Sequence, residues 1–225
     1  MGKAFSLACA AAGADVILTY TRSPAEARDT VAVIQSMGRG AWALDADFSD
    51  AGQSSRVIAR AVEIRPLYGL VNNAAIFEPL RMQDTSLESW DEHLRINLTA
   101  PFLLSQAFAA ARSPEEKGRI VNILDWRALR PGRDHFPYTV SKAALAALTH
   151  ALALALAPGI AVNGLALGAV LPPAGSDFDP RLIEKVPARR WAEIHEVEDA
   201  LLFLLTGPEY ITGEIIHVDG GRHLV

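Results

Sequence analysis

The sequence predicts an α/β protein whose doubly wound parallel sheet is covered by helices on both faces. Three observations lead to this prediction. Apolar runs of strand length alternate with helical patterns, the runs are apolar on both faces as buried parallel strands are, and neither an internal repeat nor a linker-like change in composition divides the 225 residues. We therefore expect residues 1–225 to form one three-layer α/β/α domain.

The composition fits such a domain and argues against several other classes of protein. Half of the residues are hydrophobic and 21% are charged, which is unlike disordered, collagenous or coiled-coil chains. The net charge is −5 and the basic residues are scattered, so nucleic acid is not expected as a partner. The single cysteine, Cys9, cannot form an internal disulfide, and no Cys/His cluster has metal-ligand spacing. We expect no metal, and a reducing, cytoplasmic location.

Two apolar stretches have features of targeting or membrane segments. Residues 1–14 resemble both a myristoylation motif and a short signal peptide, but they lead through Gly13 directly into an apolar strand. Residues 143–171 are interrupted by Pro, Gly and polar residues, which argues against a membrane span. No association with a membrane is therefore expected.

The individual elements follow from the spacing of apolar residues and from turn and capping residues. A first helix ends at Gly13 and leads into a strand at 16–20. Ser23, Pro24 and Glu26 suit the N-cap, N1 and N3 positions of the second helix, which Gly38 ends. Further along we expect strands at 41–44, 67–71, 119–124, 160–165 and 215–218, helices at 53–64, 86–111, 136–157 and 196–205, and a Pro-rich loop at 172–186.

The residues that directly follow the strands are the candidate ligand site, because this fold binds ligands at the carboxyl ends of its strands. Arg22 and Ser23 stand where an NAD-binding protein places a carboxylate, and they suit the 2′-phosphate of NADP instead. A capping Ser23 beside a solvated Arg22 is the alternative. Asp47 and Phe48 follow the next strand, where they either approach an adenine amino group or simply form a turn.

Two further groups of residues suggest chemistry. Asn72, Asn73 and Ala74 close the third strand with amides and a small residue that a cofactor can approach, although Asn is also common in turns. Tyr138 and Lys142 are four residues apart and share one helix face. An ammonium beside a phenol favours the phenolate, so we expect Lys142 to lower the pKa of Tyr138 and make it a proton donor or acceptor.

In order and approximate spacing, these residues resemble the short-chain dehydrogenase/reductase family over essentially the whole chain. The resemblance rests on residues 72–74, Asn97 in the long helix, Tyr138 with Lys142, and the closing residues 218–221. It implies a Rossmann-like fold, NADPH as cofactor, and a catalytic Tyr138 assisted by Lys142 and by a water that Asn97 holds. The cofactor-binding residues that it implies are Gly2, Arg22, Ser23, Asp47, Phe48, Asn73, Ala74, Tyr138, Lys142 and Gly168.

The pteridine reductase branch of that family is the best match within it. Asp125 stands 13 residues before Tyr138, where the family usually has Ser and this branch has Asp. The branch also has an Arg-Ser pair, matched by residues 22–23, and an aromatic residue at the position of Phe77. The resemblance implies that hydride passes to a C=N bond of a pterin or dihydrofolate, that Asp125 bonds the substrate or orients Tyr138, and that Phe77 stacks on the ring. A core role for Phe77 is the alternative.

Two other functional interpretations stay open. One is a general carbonyl or 3-oxoacyl reductase. The other is a non-catalytic homologue that acts as a binding or oligomer partner, because the family begins with a strand and a Gly-rich turn of which only Gly2 is present. The sequence thus predicts that the first strand is missing, with a true start roughly 10 to 15 residues upstream as the favoured explanation. The Ala/Leu-rich helix is apolar nearly all round, so a homotetramer is expected, with burial inside one subunit as the alternative.

Overall fold

The computed structural model describes residues 1–113, 115–171 and 180–225, which form a parallel sheet flanked by helices on both faces. The predicted Pro-rich loop at 172–186 lies largely outside these residues. The strands are β1 (Val16–Tyr20), β2 (Ala41–Asp45), β3 (Gly69–Asn72), β4 (Gly118–Asp125), β5 (Ile160–Leu167) and β6 (Ile215–Val218). The helices are α1 (Gly2–Ala11), α2 (Pro24–Ser36), α3 (Ala51–Ile64), α4 (Leu87–Leu94), α5 (Ala100–Ala110), α6 (Phe136–Leu156) and α7 (Ile194–Thr206).

Alternating side chains of β4 show why both faces of the sheet are covered. Val121 and Ile123 pack with residues of α1 and α7, whereas Ile120 and Leu124 pack toward α5 and α6. Successive side chains of a strand point to opposite faces, so an apolar run such as β4 needs a helix layer on each side. The predicted three-layer α/β/α architecture is confirmed.

All of the strand pairs are parallel, but they form two separate sheets. β1 pairs with β2, and β3, β4, β5 and β6 pair in that order. Between β1 and β3 lies a cavity of about 1240 Å³ that every residue of both strands lines. Within the described part of the chain, each of these two strands has a pairing partner on one side only. The expected absence of a first strand stays a prediction. Such a strand would fit in this cavity, where it could pair with β1 on one side and with β3 on the other.

The helix predicted at 86–111 is interrupted by one π turn. The chain runs from α4 through Arg95–Thr99 in π conformation into α5. Pro101 lacks the N–H that would bond the carbonyl of Asn97 in a regular α-helix, and this loss favours the wider turn at that point. Asn97, a predicted site residue, therefore lies in the irregular part of the helix.

Two smaller details also bear on the predictions. Ser23 is the N-cap of α2 as expected, but its side chain makes no capping hydrogen bond. Among the described helices, α6 alone is long and apolar enough to cross a membrane by length and composition. In this structure α6 packs against β4 and β5 and holds Lys142 with only 2% of the residue exposed.

Candidate active site

Asp125 and Tyr138 are joined by a hydrogen bond at the carboxyl end of β4. The strand ends at Asp125, whose Oδ1 accepts the Arg127 N–H at 2.8 Å and thereby caps a single 3-10 turn over Trp126–Ala128. The other oxygen, Oδ2, accepts the Tyr138 hydroxyl at 3.2 Å. Backbone geometry thus fixes the carboxylate, and the carboxylate in turn fixes the phenol.

Lys142 lies one helical turn beyond Tyr138 on the same face of α6, as predicted. Its ammonium donates to the Ile123 carbonyl at 2.7 Å and lies 5.7 Å from the centre of the Tyr138 ring. Both residues are almost fully buried, at 7% and 2% exposure. The ammonium is therefore bonded to the end of β4 rather than to the phenol oxygen.

The charge states at this site differ from one expectation. Burial, and then the charge and hydrogen bond of Asp125, raise the pKa of Tyr138 above its usual value. The expectation that Lys142 lowers this pKa is wrong for this structure, because the phenol bonds a carboxylate and the ammonium bonds a carbonyl. Burial lowers the pKa of Lys142 to about 8 and raises the pKa of Asp125. Tyr138 is thus a buried phenol whose hydrogen-bond acceptor is a buried carboxyl group.

Asn97 fastens the segment that carries Phe77 to α6. It is fully buried; its Oδ1 accepts the Ile76 N–H at 2.9 Å, and its Nδ2 donates to the Ile76 carbonyl and to Ser141 Oγ, both at 3.0 Å. The water that Asn97 is expected to hold stays a prediction. What the structure adds is a positioning role for its side chain.

Phe77 lies beside Tyr138 and is not a core residue. It is 42% exposed, its ring meets Tyr138 edge-on at 4.7 Å, and His135 stacks on it at 3.9 Å with an interplanar angle of 8°. The alternative core role is therefore wrong. His135 thus covers one face of the Phe77 ring by parallel stacking.

Most of the predicted cofactor residues line the large cavity at the ends of β1 and β3. A Cβ at Gly2 would lie 3.0 Å from Asn73 Nδ2, so a larger residue would crowd the Asn73 side chain. Arg22 is exposed at the end of β1, and its charge adds to the Ser49 hydrogen bonds that lower the pKa of Asp47. The cavity-lining members of the predicted set are Gly2, Arg22, Ser23, Phe48, Asn73 and Ala74.

Packing explains why the chain has Phe at position 48 and Gly at position 168. The Phe48 side chain is buried among core residues of β2, α3 and α5, which leaves its backbone for any contact with a ligand. A Cβ at Gly168 would lie 2.6 Å from the Asp219 Cα, so glycine is needed for close packing there. Gly168 follows β5, next to the end of β4. Its cofactor contact stays a prediction.

Sequence reasoning missed three charged or titratable side chains at the site. Arg127 lies 3.6 Å from Asp125 Oδ1 and 3.2 Å from Asp134 Oδ2, and Asp134 Oδ2 is 3.0 Å from His135 Nδ1. A local signal existed for two of them. Arg127 is two residues after Asp125, and His135 is three before Tyr138, close enough on a helix to share a face.

Comparisons with known proteins find matches over almost the whole chain. A family model described as enoyl-(acyl carrier protein) reductase matches residues 1–223. The 3-oxoacyl-[acyl-carrier-protein] reductase of a Synechocystis strain is 30% identical over 226 residues, covering 98% of this chain and 92% of the relative. Among solved structures, FolM alternative dihydrofolate reductase 1 from Brucella suis in complex with NADP has a TM-score of 0.92 at 32% identity, covering 100% of this chain and 91% of its own. A short chain dehydrogenase from Burkholderia cenocepacia in complex with NADP has a TM-score of 0.92 at 34% identity, covering 98% and 92%.

Proposed function

The chain belongs to the short-chain dehydrogenase/reductase family of NAD(P)-dependent oxidoreductases, and from this premise we propose that it reduces a pterin or dihydrofolate-type ring with NADPH. The observation that carries the proposal is the carboxyl of Asp125 hydrogen-bonded to Tyr138, with the half-exposed ring of Phe77 edge-on to the phenol. A planar, nitrogen-containing ring needs both a stacking face and a proton donor, and these three side chains supply them.

The residues at the ends of β1 and β3 fit an NADP-type cofactor. Gly2 and Asn73 leave a space between them that a Cβ at position 2 would fill. The exposed Arg22 and Ser23 lie at the N-terminus of α2, where an anion is stabilised. The Brucella and Burkholderia structures both contain NADP. When bound here, NADPH supplies the hydride for the reaction.

The chain's own residues then donate the proton that the substrate takes up and replace it on the donor. Because its pKa is raised, Tyr138 is protonated at neutral pH and donates from its hydroxyl to the ring nitrogen as the C=N bond is reduced. Asp125, which accepts from Tyr138 as a carboxylate and whose own pKa is raised, takes up a proton from solvent and passes it to the phenol oxygen. The buried Lys142 ammonium donates to the Ile123 carbonyl and so holds the end of β4, which carries Asp125, against α6.

A general 3-oxoacyl or carbonyl reductase is the second candidate, and the family description and the Synechocystis relative favour it. A carbonyl oxygen requires only a donor such as Tyr138, whereas a basic ring nitrogen also benefits from a carboxyl that carries a proton. The two functions therefore differ in how much they depend on Asp125.

The deciding experiment follows NADPH oxidation with 7,8-dihydrobiopterin or dihydrofolate and, in parallel, with an acetoacetyl thioester. The proposal expects turnover of the pterin substrate and a loss of about 100-fold or more in the Asp125→Ala variant. Turnover of the thioester alone would reject the pterin assignment. Absence of NADPH binding by the 225-residue protein, measured by fluorescence and thermal shift, would instead favour a non-catalytic binding partner.

We also propose that the protein assembles as a homotetramer through α5 and α6. Phe102 on α5 and Leu154 on α6 are 40% and 85% exposed, so each of these helices presents an apolar side chain to solvent. Large exposed apolar residues are frequent at subunit interfaces. Light scattering after size exclusion should give four times the mass of one chain, and a single-chain mass would reject the proposal.

A further inference from the structure

Arg127 contacts the Asp125 carboxylate with both its backbone N–H and its guanidinium. The backbone N–H of Arg127 donates to Asp125 Oδ1 at 2.8 Å, and the guanidinium Nη1 lies 3.6 Å from the same oxygen. The two side chains are only 14% and 15% exposed. Water therefore screens this charge pair less than it would at the surface.

The guanidinium is fixed in place by groups other than Asp125. Its carbon lies 4.7 Å from the centre of the Trp126 ring and 5.7 Å from that of Phe77, and Nη2 donates to Asp134 Oδ2 at 3.2 Å. Another donor of the guanidinium, Nε, is buried and has no hydrogen-bond acceptor among the described residues. A buried donor without an acceptor costs about 1 to 3 kcal/mol, so its retention points to a use other than stability.

We infer that Arg127 is a positioning residue that holds the Asp125 carboxylate against Tyr138 and sets the pH range over which this pair carries the transferred proton. The catalytic meaning of the inference rests on the proposed function. The state of Asp125 itself is a property of the free protein, and it can be measured without any substrate.

The other charged and titratable groups that face Asp125 come from α6 and from the segment before it. Tyr138 bonds Oδ2, and Lys142 acts through its charge, although its ammonium is bonded to the end of β4. Asp134 and His135 lie on the far side of the Arg127 guanidinium and bond each other. Arg127 thus lies between two carboxylates, one buried at the site and one 55% exposed.

Opposing effects of burial and of nearby positive charge set the pKa of Asp125, and Arg127 contributes to the second. Burial raises the pKa of Asp125, and the N–H and the charge of Arg127, followed by the charge of Lys142, oppose this rise. If the guanidinium were removed, the backbone N–H of residue 127, the charge of Lys142 and the Tyr138 hydrogen bond would still oppose burial, but the neighbouring positive charge would be lost. Asp125 would then take up its proton at a higher pH and lose the carboxylate that accepts from Tyr138.

The experiment titrates the Asp125 carboxyl in the free protein by difference infrared spectroscopy, with Asp125→Asn to assign the band. In Arg127→Met, which keeps an apolar stem but no charge, the midpoint should rise by about one pH unit or more. In Arg127→Lys, the charge-conserving control, it should stay closer to wild type. An Arg127→Met midpoint equal to that of wild type would overturn the inference.

A second variant keeps the test decisive if Arg127→Met does not fold. Asp134→Asn removes the exposed carboxylate that shares the guanidinium, so the Asp125 midpoint should fall; a midpoint that rises or does not move overturns the inference. The pH dependence of kcat with dihydropterin should shift in the same direction as each midpoint. Failure of the wild-type protein to reduce any pterin rejects the proposed function alone, because the infrared titration still decides the role of Arg127.

Discussion

At the scale of single residues, the buried Lys142 makes stability depend on pH. Burial lowers its pKa from 10.5 to about 8, with the charge of Asp125 opposing part of that effect. Between these two values the unfolded chain holds a proton that the folded protein has released. Stability contributed by this group therefore rises with pH across the window, by at most about 1.4 kcal/mol per pH unit.

The Lys142→Met variant removes this contribution. We expect the free energy of unfolding of wild type, minus that of the variant, to increase from about pH 8 to pH 10 in urea titrations. Lys185→Met, at an exposed lysine, is the matched control and should give a flat difference. A flat difference for Lys142→Met as well would mean that Lys142 titrates alike in the folded and unfolded chain.

The site residues that sequence could predict are those whose geometry is local. Tyr138 and Lys142 are one helical turn apart, so their spacing alone puts them on one face. The guanidinium of Arg127 is fixed by Phe77, fifty residues earlier, and by Asp134 across a loop. No periodic pattern encodes such contacts. The bond between Asp125 and Tyr138 was expected only because the family resemblance implies that Asp125 orients Tyr138.

At the scale of the elements, glycine at position 168 lets the end of β5 pass close to the turn after β6. The Gly168 N–H donates to the Val218 carbonyl at 3.0 Å, and an added Cβ would lie 2.6 Å from the Asp219 Cα. That turn cannot move freely, because the Asp219 carboxylate accepts the N–H groups of Gly221 and His223 at 2.9 and 2.8 Å.

We expect Gly168→Ala to lower the free energy of unfolding by about 1 to 3 kcal/mol, because the extra methyl group must displace backbone. Denaturant unfolding measures this loss. Gly159→Ala is the control, since the nearest atom to its added Cβ is 3.8 Å away and its φ is not positive. Equal stability of the two variants would show that the β5 and β6 ends separate easily.

The existence of the elements was more predictable than their ends. Apolar runs gave every described strand, because burial on both faces leaves a run with few polar residues. β5 continues to Leu167, two residues beyond its expected end, since pairing with β6 extends the ladder. The π turn at Arg95–Thr99 was not predicted, because it depends on one absent N–H at Pro101 within an otherwise regular helical pattern.

At the scale of the whole molecule, the cavity between β1 and β3 separates the two sheets. On the side that faces the cavity, neither strand has a pairing partner among the described residues. Side chains of α1, α3, α5 and α7 cover it above and below, among them Phe5, Val57, Leu104 and Leu205. The cavity therefore has the lining of a position for one apolar, extended strand.

A strand joined ahead of α1 should fill this cavity. A parallel strand that leads through α1 into β1 makes the right-handed crossover that α/β folds require, and it would pair with β1 on one side and β3 on the other. Fusing about five β-branched residues and a short glycine turn before Met1 should therefore raise the melting temperature by several degrees and slow amide exchange in both strands. The control fusion has the same length but carries prolines, which cannot donate to a ladder. Equal melting temperatures and unchanged exchange for the two fusions would mean that the edges of β1 and β3 do not accept a strand.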